Sequence, residues 1–492
     1  MMMSLMVSKK LLQVRHLLNP FAQDGNIRWS AVAIWYLSSN AFQIASWNAK
    51  FWDQWFLYGD VNLIESIDRA CPISRCKVPF TYLWESPLFE IGHWTVRILV
   101  ILLFWCSGFF LWRLLRNIPQ LNEQQRTVVT VFFLLLPING ARIGLSTARA
   151  SLALVLLICG GWLVTTRKLL LVPFGLLLVG YSAFQPSHQV MALAILIPLV
   201  GSDIFSGSRI SSFTWAISVF LVILPFVHRY LLADLIVNLG FAGPSDGYNS
   251  IQPAFLARAL LVCAMLSIPV TLRLSKWLWK HQSLEGFTTN CFEIGLLLLA
   301  LGTFPYLAVG HFANLTDWVT MWLPDTSDWD SRHQVLQGFG FSILGLGLVQ
   351  LTQKSRQMRV TFALLTLFFV LSSSTYTNYY VDGLKQRDIM SQLESSKDLF
   401  RTSEFIMFVD YARDLNARGR GIRDYEYSAM TKAALGRAIP VYDGRETDQR
   451  INCVGQNKGT VVTIRKVSGR MRALISRVEV VRLEFSPLVV CT

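Results

Sequence analysis

Charge is what this chain has least of. Only 15% of its 492 residues are charged, against 53% hydrophobic, where a soluble protein of this length would carry roughly a quarter charged residues. That shortage excludes an ordinary soluble globular protein. Zinc-type Cys/His spacing and a Walker loop are also missing, which removes the chemistry those motifs carry. The first 28 residues are polar and basic, with no short apolar core ahead of a small-residue cleavage site. The first apolar stretch is therefore expected to direct insertion itself. No fixed-period repeat is present. The net charge of +14 could suggest nucleic acid, but the basic residues punctuate apolar runs, so no nucleic-acid partner is expected.

What is abundant is apolar length. Sixteen Trp and 32 Phe fit interfacial belts and lipid-facing helices. Eleven stretches are candidate spans: 29–47, 94–115, 127–139, 150–166, 169–185, 189–205, 213–236, 254–272, 288–309, 334–352 and 359–378. The third, fifth and sixth are short against the roughly 20 residues a span needs, so they end inside the protein or their boundaries lie further out. The fold expected is an all-α polytopic membrane protein. It has a cytoplasmic segment 1–28, a multi-span domain 29–381 with external loops 48–93 and 310–333, and a small α/β domain 382–492.

Sidedness follows from the loops. With the N-terminus in the cytoplasm, Lys9, Lys10, Arg113, Arg116, Arg126, Arg167, Lys168, Arg209, Arg273, Lys354 and Arg356 fall on one side. Asp53, Asp60, Glu65, Asp68, Asp246, Asp317, Asp325, Asp328 and Asp330 fall on the other. That is the positive-inside pattern. An odd number of spans then exports the tail. In the tail, a helical pattern runs near Ser391–Leu415 and strand-like runs cover Thr460–Ile464 and Val478–Phe485. Cysteine agrees with the partition. Cys106, Cys159, Cys263 and Cys291 lie in spans, whereas Cys71, Cys76, Cys453 and Cys491 are external, where an oxidising compartment would allow two disulfides.

The unusual polar residues collect on the external side. Asp53 follows the first span among aromatics and could act as a general base or ligate a divalent cation such as Mg or Mn; the alternative is a solvated loop acid. Arg142 and Arg149 are seven residues apart, about two turns, which predicts one helical face at its external end. Guanidinium grips phosphate with paired donors, and arginine at a membrane edge is costly unless paired or facing water; snorkelling to headgroups competes with that reading. His188, in the polar break Gln185–Gln189, could shuttle a proton or merely cap a helix. In the loop 311–333, Asp330, Arg332 and His333 bring an acid, a guanidinium and a base together. Trp318, Trp322 and Trp329 there could stack on sugar faces, or the loop could simply anchor at the interface.

On these residues the stretch Gly140 to Val200 resembles membrane polysaccharide polymerases of the EpsG and O-antigen polymerase type. The likeness rests on an arginine-bearing helix entrance (Arg142, Arg149), a small-residue span, a basic turn (Arg167-Lys168) and a span ending in Ser187-His188. Asp53 after the first span, together with the many-span plan and external tail, also resembles GT-C glycosyltransferases. The resemblance covers about an eighth of the chain. It departs in lacking a full acidic pair after the first span and in its small external domain. It implies sugar transfer from a polyprenyl-phosphate or polyprenyl-diphosphate carrier to a glycan acceptor at the external face of, for example, a bacterial inner membrane. Arg142, Arg149 or Arg332 would meet the phosphate, and Asp53, His188, Asp330 or His333 would take the acceptor proton. A transporter or flippase of lipid-linked saccharides, and a non-catalytic scaffold with envelope-complex partners, stand as alternatives.

Overall fold

A computed structural model describes residues 18–22, 26–46, 49–51, 86–119, 121–138, 140–144, 147–183, 186–205, 210–227, 253–280, 291–308, 334–444, 458–475 and 479–489. Within them the chain is a helical bundle carrying a small C-terminal sheet. The helices are α1 Trp29–Ser39, α2 Ala41–Ala45, α3 Ser86–Ile91, α4 His93–Leu115, α5 Glu123–Leu135, α6 Ala148–Thr165 and α7 Val172–Ser182, then α8 Pro186–Met191, α9 Leu196–Phe205, α10 Ser212–Val227, α11 Pro253–Lys280, α12 Cys291–Ala308, α13 Gln337–Gln350 and α14 Lys354–Ser395. Each of the eleven apolar stretches contains helix. Four of the helices (α4, α6, α12 and α14) are long and apolar enough to cross a membrane. Others are shorter: α7 has 11 residues, about 16 Å of rise, against a hydrocarbon core of about 30 Å. The sixth stretch is broken, passing from α8 through a 3-10 turn at Ala192–Ile195 into α9.

Local chemistry fixes several ends. Asn122 caps α5: its side chain accepts from the Gln125 amide at 2.9 Å, and the Gln125 side chain accepts from the Asn122 amide at 2.9 Å, a reciprocal box that satisfies two otherwise orphaned donors. Arg167 ends α6 in a left-handed conformation, φ 57°, and donates to Asp203 at 2.6 Å, which also accepts from Ser211 and Thr214.

The bundle packs through rings and glycines. Helices α4 and α6 run parallel, since their last turns meet through Phe110 and Trp162 (ring centroids 5.8 Å) and through Asn117 donating to Thr165 at 2.7 Å. Helices α6 and α7 cross backbone to backbone: a Cβ on Gly160 would stand 2.6 Å from the Gly175 carbonyl, and one on Gly175 would stand 2.8 Å from the Gly160 carbonyl. Gly295 and Gly340 make the same reciprocal approach between α12 and α13. Small residues allow such crossings in lipid, where there is no hydrophobic drive between helices. Outward apolar side chains on α7, α10 and α11, among them Phe174, Leu177, Trp215, Val219, Leu261 and Met265, are exposed. A helical membrane protein is compatible with that surface.

The tail is built onto the bundle's last helix. α14 runs 42 residues without a break through residue 382, so bundle and tail share it. After it come β1 Phe405–Asp410, α15 Asp424–Leu435, β2 Val441–Asp443, β3 Lys458–Lys466, α16 Arg470–Ile475 and β4 Val481–Val489. The sheet order is β2-β1-β3-β4, with β1 parallel to β2 and β3, and β4 antiparallel to β3. The strand expectations at 460–464 and 478–485 fall on β3 and the first half of β4. The helical pattern read near Ser391–Leu415 is corrected: helix stops at Ser395, and Phe405–Asp410 is a strand. That strand is nearly continuously apolar because parallel pairing buries both its faces, and short apolar runs of this kind read as either element.

Two buried ionic networks tie α14 to the tail. Lys385 donates to both Asp410 carboxylate oxygens at 2.8 and 2.6 Å, to the Ala412 carbonyl at 3.0 Å and to Asn416 at 2.8 Å. Arg420 joins Asp382 at 2.9 Å and both oxygens of Glu426 at 2.9 Å. Burial disfavours the Arg420 charge, yet Asp382 and Glu426 outweigh it and hold its pKa above the ordinary arginine value. Burial, and then the adjacent Asp410 carboxylate, push the Tyr427 phenol well above its usual range.

Two stability outcomes are expected. Gly175→Val should overpack the α6–α7 crossing and cost about 1–3 kcal/mol, read as a lowered thermal midpoint of the purified chain; an unchanged midpoint would remove the crossing. Lys385→Met strands the Asp410 carboxylate and should cost about 3–5 kcal/mol, while adding Asp410→Leu should recover much of that. Equal losses in the single and double variants, measured by limited proteolysis of the tail, would argue against the network.

Candidate functional site

The site begins where α5 ends. After Leu135 the described chain leaves α-helix; Gly140–Ile143 is a 3-10 turn, and α6 starts at Ala148. Arg142 and Arg149 therefore do not share one helical face, which corrects the expectation from their spacing. The Thr147 hydroxyl donates back to the Gly144 carbonyl, and that turn separates the two arginines. Arg149 lies in the first turn of α6 and is half-buried.

Arg142 is buried, 3% exposed. Its guanidinium carbon sits 4.0 Å from the centroid of Phe104, near the middle of α4. Nε and Nη2 donate to the Tyr376 hydroxyl of α14 at 3.1 and 2.7 Å. Nη1 has no partner among the described residues. Its backbone carbonyl accepts from Gln43 at 3.2 Å, tying the turn to α2. Behind it, Phe51, Ile143, Tyr376, Tyr379 and Ala417 form one small apolar cluster. The bundle, the segment after α2 and the tail thus meet at this point. No described carboxylate pairs with Arg142; its partners are a phenol and an aromatic face, which soften a buried charge only in part.

Two residues absent from the sequence reading belong here. Tyr376 carried no signal, because a tyrosine near a span end reads as an interfacial anchor. Arg97 did carry one: it is a cation inside an apolar stretch, and ionisable residues there are functional by default. Arg97 is 2% exposed, and its Nη2 donates to the Ala49 carbonyl at 2.7 Å.

His188 is 2% exposed in α8, and neither ring nitrogen has a partner among the described residues. A buried imidazole without partners is costly. One turn on, Met191 helps line an apolar cavity of about 110 Å3, together with Leu115, Leu157, Ile195, Leu298 and Phe339. The cavity occupies the half of the bundle where α4 and α6 end. A ladder of rings leads from it to the arginine: Phe339 lies on Phe133 (5.0 Å), Phe133 stacks on Phe104 (5.2 Å, 12°), and Phe104 lies under Arg142.

The structure therefore sets Arg142 and His188 in the same bundle as the cavity. The remaining sequence candidates, Asp53, Trp318, Trp322, Trp329, Asp330, Arg332, His333, Cys71, Cys76, Cys453 and Cys491, lie outside the described residues. Cys106, Cys159, Cys263 and Cys291 are free thiols within the bundle. No group of three or more His, Cys, Asp or Glu that could hold a metal occurs among the described residues.

The fold class these features define is a helical, membrane-compatible bundle with a small C-terminal sheet. No family model matches the chain, and no curated protein matches it significantly.

Tyr376→Phe should leave two guanidinium donors of Arg142 without an acceptor. Hydrogen bonds to charged groups contribute about 1.5–3 kcal/mol, so the thermal midpoint should fall measurably; a variant as stable as the wild type would show that Arg142 finds its acceptor elsewhere.

Proposed function

We propose that this chain is a membrane glycosyltransferase or polysaccharide polymerase that takes sugar from a polyprenyl-phosphate or polyprenyl-diphosphate carrier. The observation that carries the proposal is the Arg142 guanidinium. It is buried, it lacks a described carboxylate, and it keeps Nη1 open at the head of a ring ladder that leads to an apolar cavity. A buried cation in the same bundle as an apolar cavity suits a ligand with an anionic head and a hydrocarbon tail. In this reading the eleven helical stretches cross the membrane with the N-terminus cytoplasmic, and Arg142, Arg149 and His188 face the external side. Arg142 stabilises the phosphate charge that develops as the anomeric bond breaks, a role that acts chiefly in the transition state. His188, or an acid of the external loops such as Asp53 or Asp330, accepts the proton of the incoming hydroxyl. The acceptor is a growing glycan, and Arg332 with the loop tryptophans would line its path.

A transporter of lipid-linked saccharides is favoured by one feature, the helix broken at Ala192–Ile195, since discontinuous helices line many transport sites. Both readings are separated by substituting Arg142, Arg149 and His188 singly by Ala in the native host. Loss of an oxyanion-stabilising donor costs about 10²–10³ in rate, so an enzyme should lose glycan product while the variant stays at normal abundance in the membrane. Intact product in all three removes the catalytic assignment, and product made but retained on the cytoplasmic side favours transport.

A further inference from the structure

Among the described residues, Arg97 is the charged side chain with the most buried donors left without a partner. It lies one turn inside α4, 2% exposed, and its whole complement of described hydrogen bonds is the one from Nη2 to the Ala49 carbonyl; Nε and Nη1 are buried and without partners. The same chain shows what a structural arginine looks like when buried. Arg420 is met by Asp382 and by both oxygens of Glu426. Arg97 has no described carboxylate. Withdrawing a guanidinium from water costs several kcal/mol unless an anion answers it, so the open donors call for one.

Helix geometry relates this residue to Arg142. Arg97, Ile101 and Phe104 fall at i, i+4 and i+7, on one face of α4. Seven residues are about 10 Å of rise. Arg142 lies against Phe104 at the inner end of that face, and Arg97 stands at its outer end. Between them the Tyr36 hydroxyl donates to the Ile101 carbonyl at 2.8 Å. The opposite wall is the segment around Ala49, which α14 presses in place: a Cβ on Gly383 would stand 2.7 Å from that of Ala49. The two buried cations therefore mark two depths along one helix face.

We propose that Arg97 is the outer anion-binding residue of this site, receiving phosphate oxygens of a diphosphate whose approach leads along α4 toward Arg142. The inference rests on the functional reading above and deepens it by naming the residue that meets the carrier's anionic head before Arg142 does. Guanidinium supplies the paired donors that phosphate oxygens accept.

The test uses the full chain in lipid nanodiscs, with binding followed by thermal shift and by titration. Inorganic pyrophosphate and farnesyl diphosphate serve as probes, and inorganic phosphate serves as the comparison. Both diphosphates should stabilise the wild type more than phosphate does. Arg97→Gln should weaken diphosphate binding about tenfold or more, the loss expected for a charge-assisted hydrogen bond. Arg97→Lys, which keeps the charge and guards against a misfolded Gln variant, should fall between. If farnesyl diphosphate binds far more tightly than pyrophosphate, the source is a lipid headgroup; comparable binding indicates a free diphosphate, and both agree with an anion site at Arg97. Failure of the wild type to bind either diphosphate overturns the proposal. So does Arg97→Lys, or a folded Arg97→Gln, that binds like the wild type, in which case the Arg97 charge belongs with an acid of the chain. Glycan product measured on the same variants separates the two readings. Lost diphosphate binding at Arg97→Gln, with intact product in the Arg142→Ala, Arg149→Ala and His188→Ala variants, keeps the anion site and removes the transferase. Unchanged binding at Arg97→Gln with product lost at Arg142→Ala does the reverse.

Discussion

Holding the Arg142 guanidinium between Phe104 and Tyr376 constrains nearly every element around it. A charge removed from water must be oriented by dipoles, rings or a counter-ion. Here the described surroundings supply a phenol from α14, a ring face from α4 and, at its backbone, the amide of Gln43. Those three groups come from residues far apart in the chain. The 3-10 turn carrying Arg142 is thereby fixed against the first helices, the fourth and the last, and the apolar cluster of Phe51, Ile143, Tyr376, Tyr379 and Ala417 closes behind it. The site is a junction of bundle and tail because Ala417 of the tail packs into the same cluster as Tyr376.

The last helix makes the junction rigid. α14 contributes Phe368 to the bundle packing, Tyr376 to the arginine and Lys385 to the buried network of the tail. Its second half forms one side of the tail's core through Val381, Leu384, Ile389 and Leu393. One continuous helix therefore carries both Tyr376 and the tail's core residues. On the other side of the bundle, reciprocal glycine contacts set how closely α6 approaches α7 and α12 approaches α13. Of these, α6, α12 and α13 wall the cavity, so the α12–α13 backbone approach helps set its width.

Much of the bundle was legible because apolar length is a property of each segment alone. The stretch 94–115 became His93–Leu115 with hardly a shift, and 288–309 became Cys291–Ala308. The site was less legible. Arg142 and His188 stood out as polar residues at the edges of apolar runs. Tyr376 gave no sign, since its role depends on a partner more than two hundred residues away. The spacing of Arg142 and Arg149 misled, because it assumed one α-helix through both, whereas Arg142 sits in a 3-10 turn and α6 begins at Ala148. β1 was missed for a related reason: a strand buried on both faces has no alternation to betray it.

By itself the sequence determined that this chain is apolar enough for a bilayer and where along the chain its helices lie. Those are consequences of composition and local periodicity, which each segment carries regardless of its neighbours. Only the tertiary structure decided that Arg97 and Arg142 line one face of α4, that a ladder of phenylalanines joins the arginine to an apolar cavity, and that the tail is locked to the last helix by buried ion pairs. Such placements depend on which faces meet, and packing rather than periodicity settles that, because a pattern repeating every 3.6 residues names a buried face without naming what buries it.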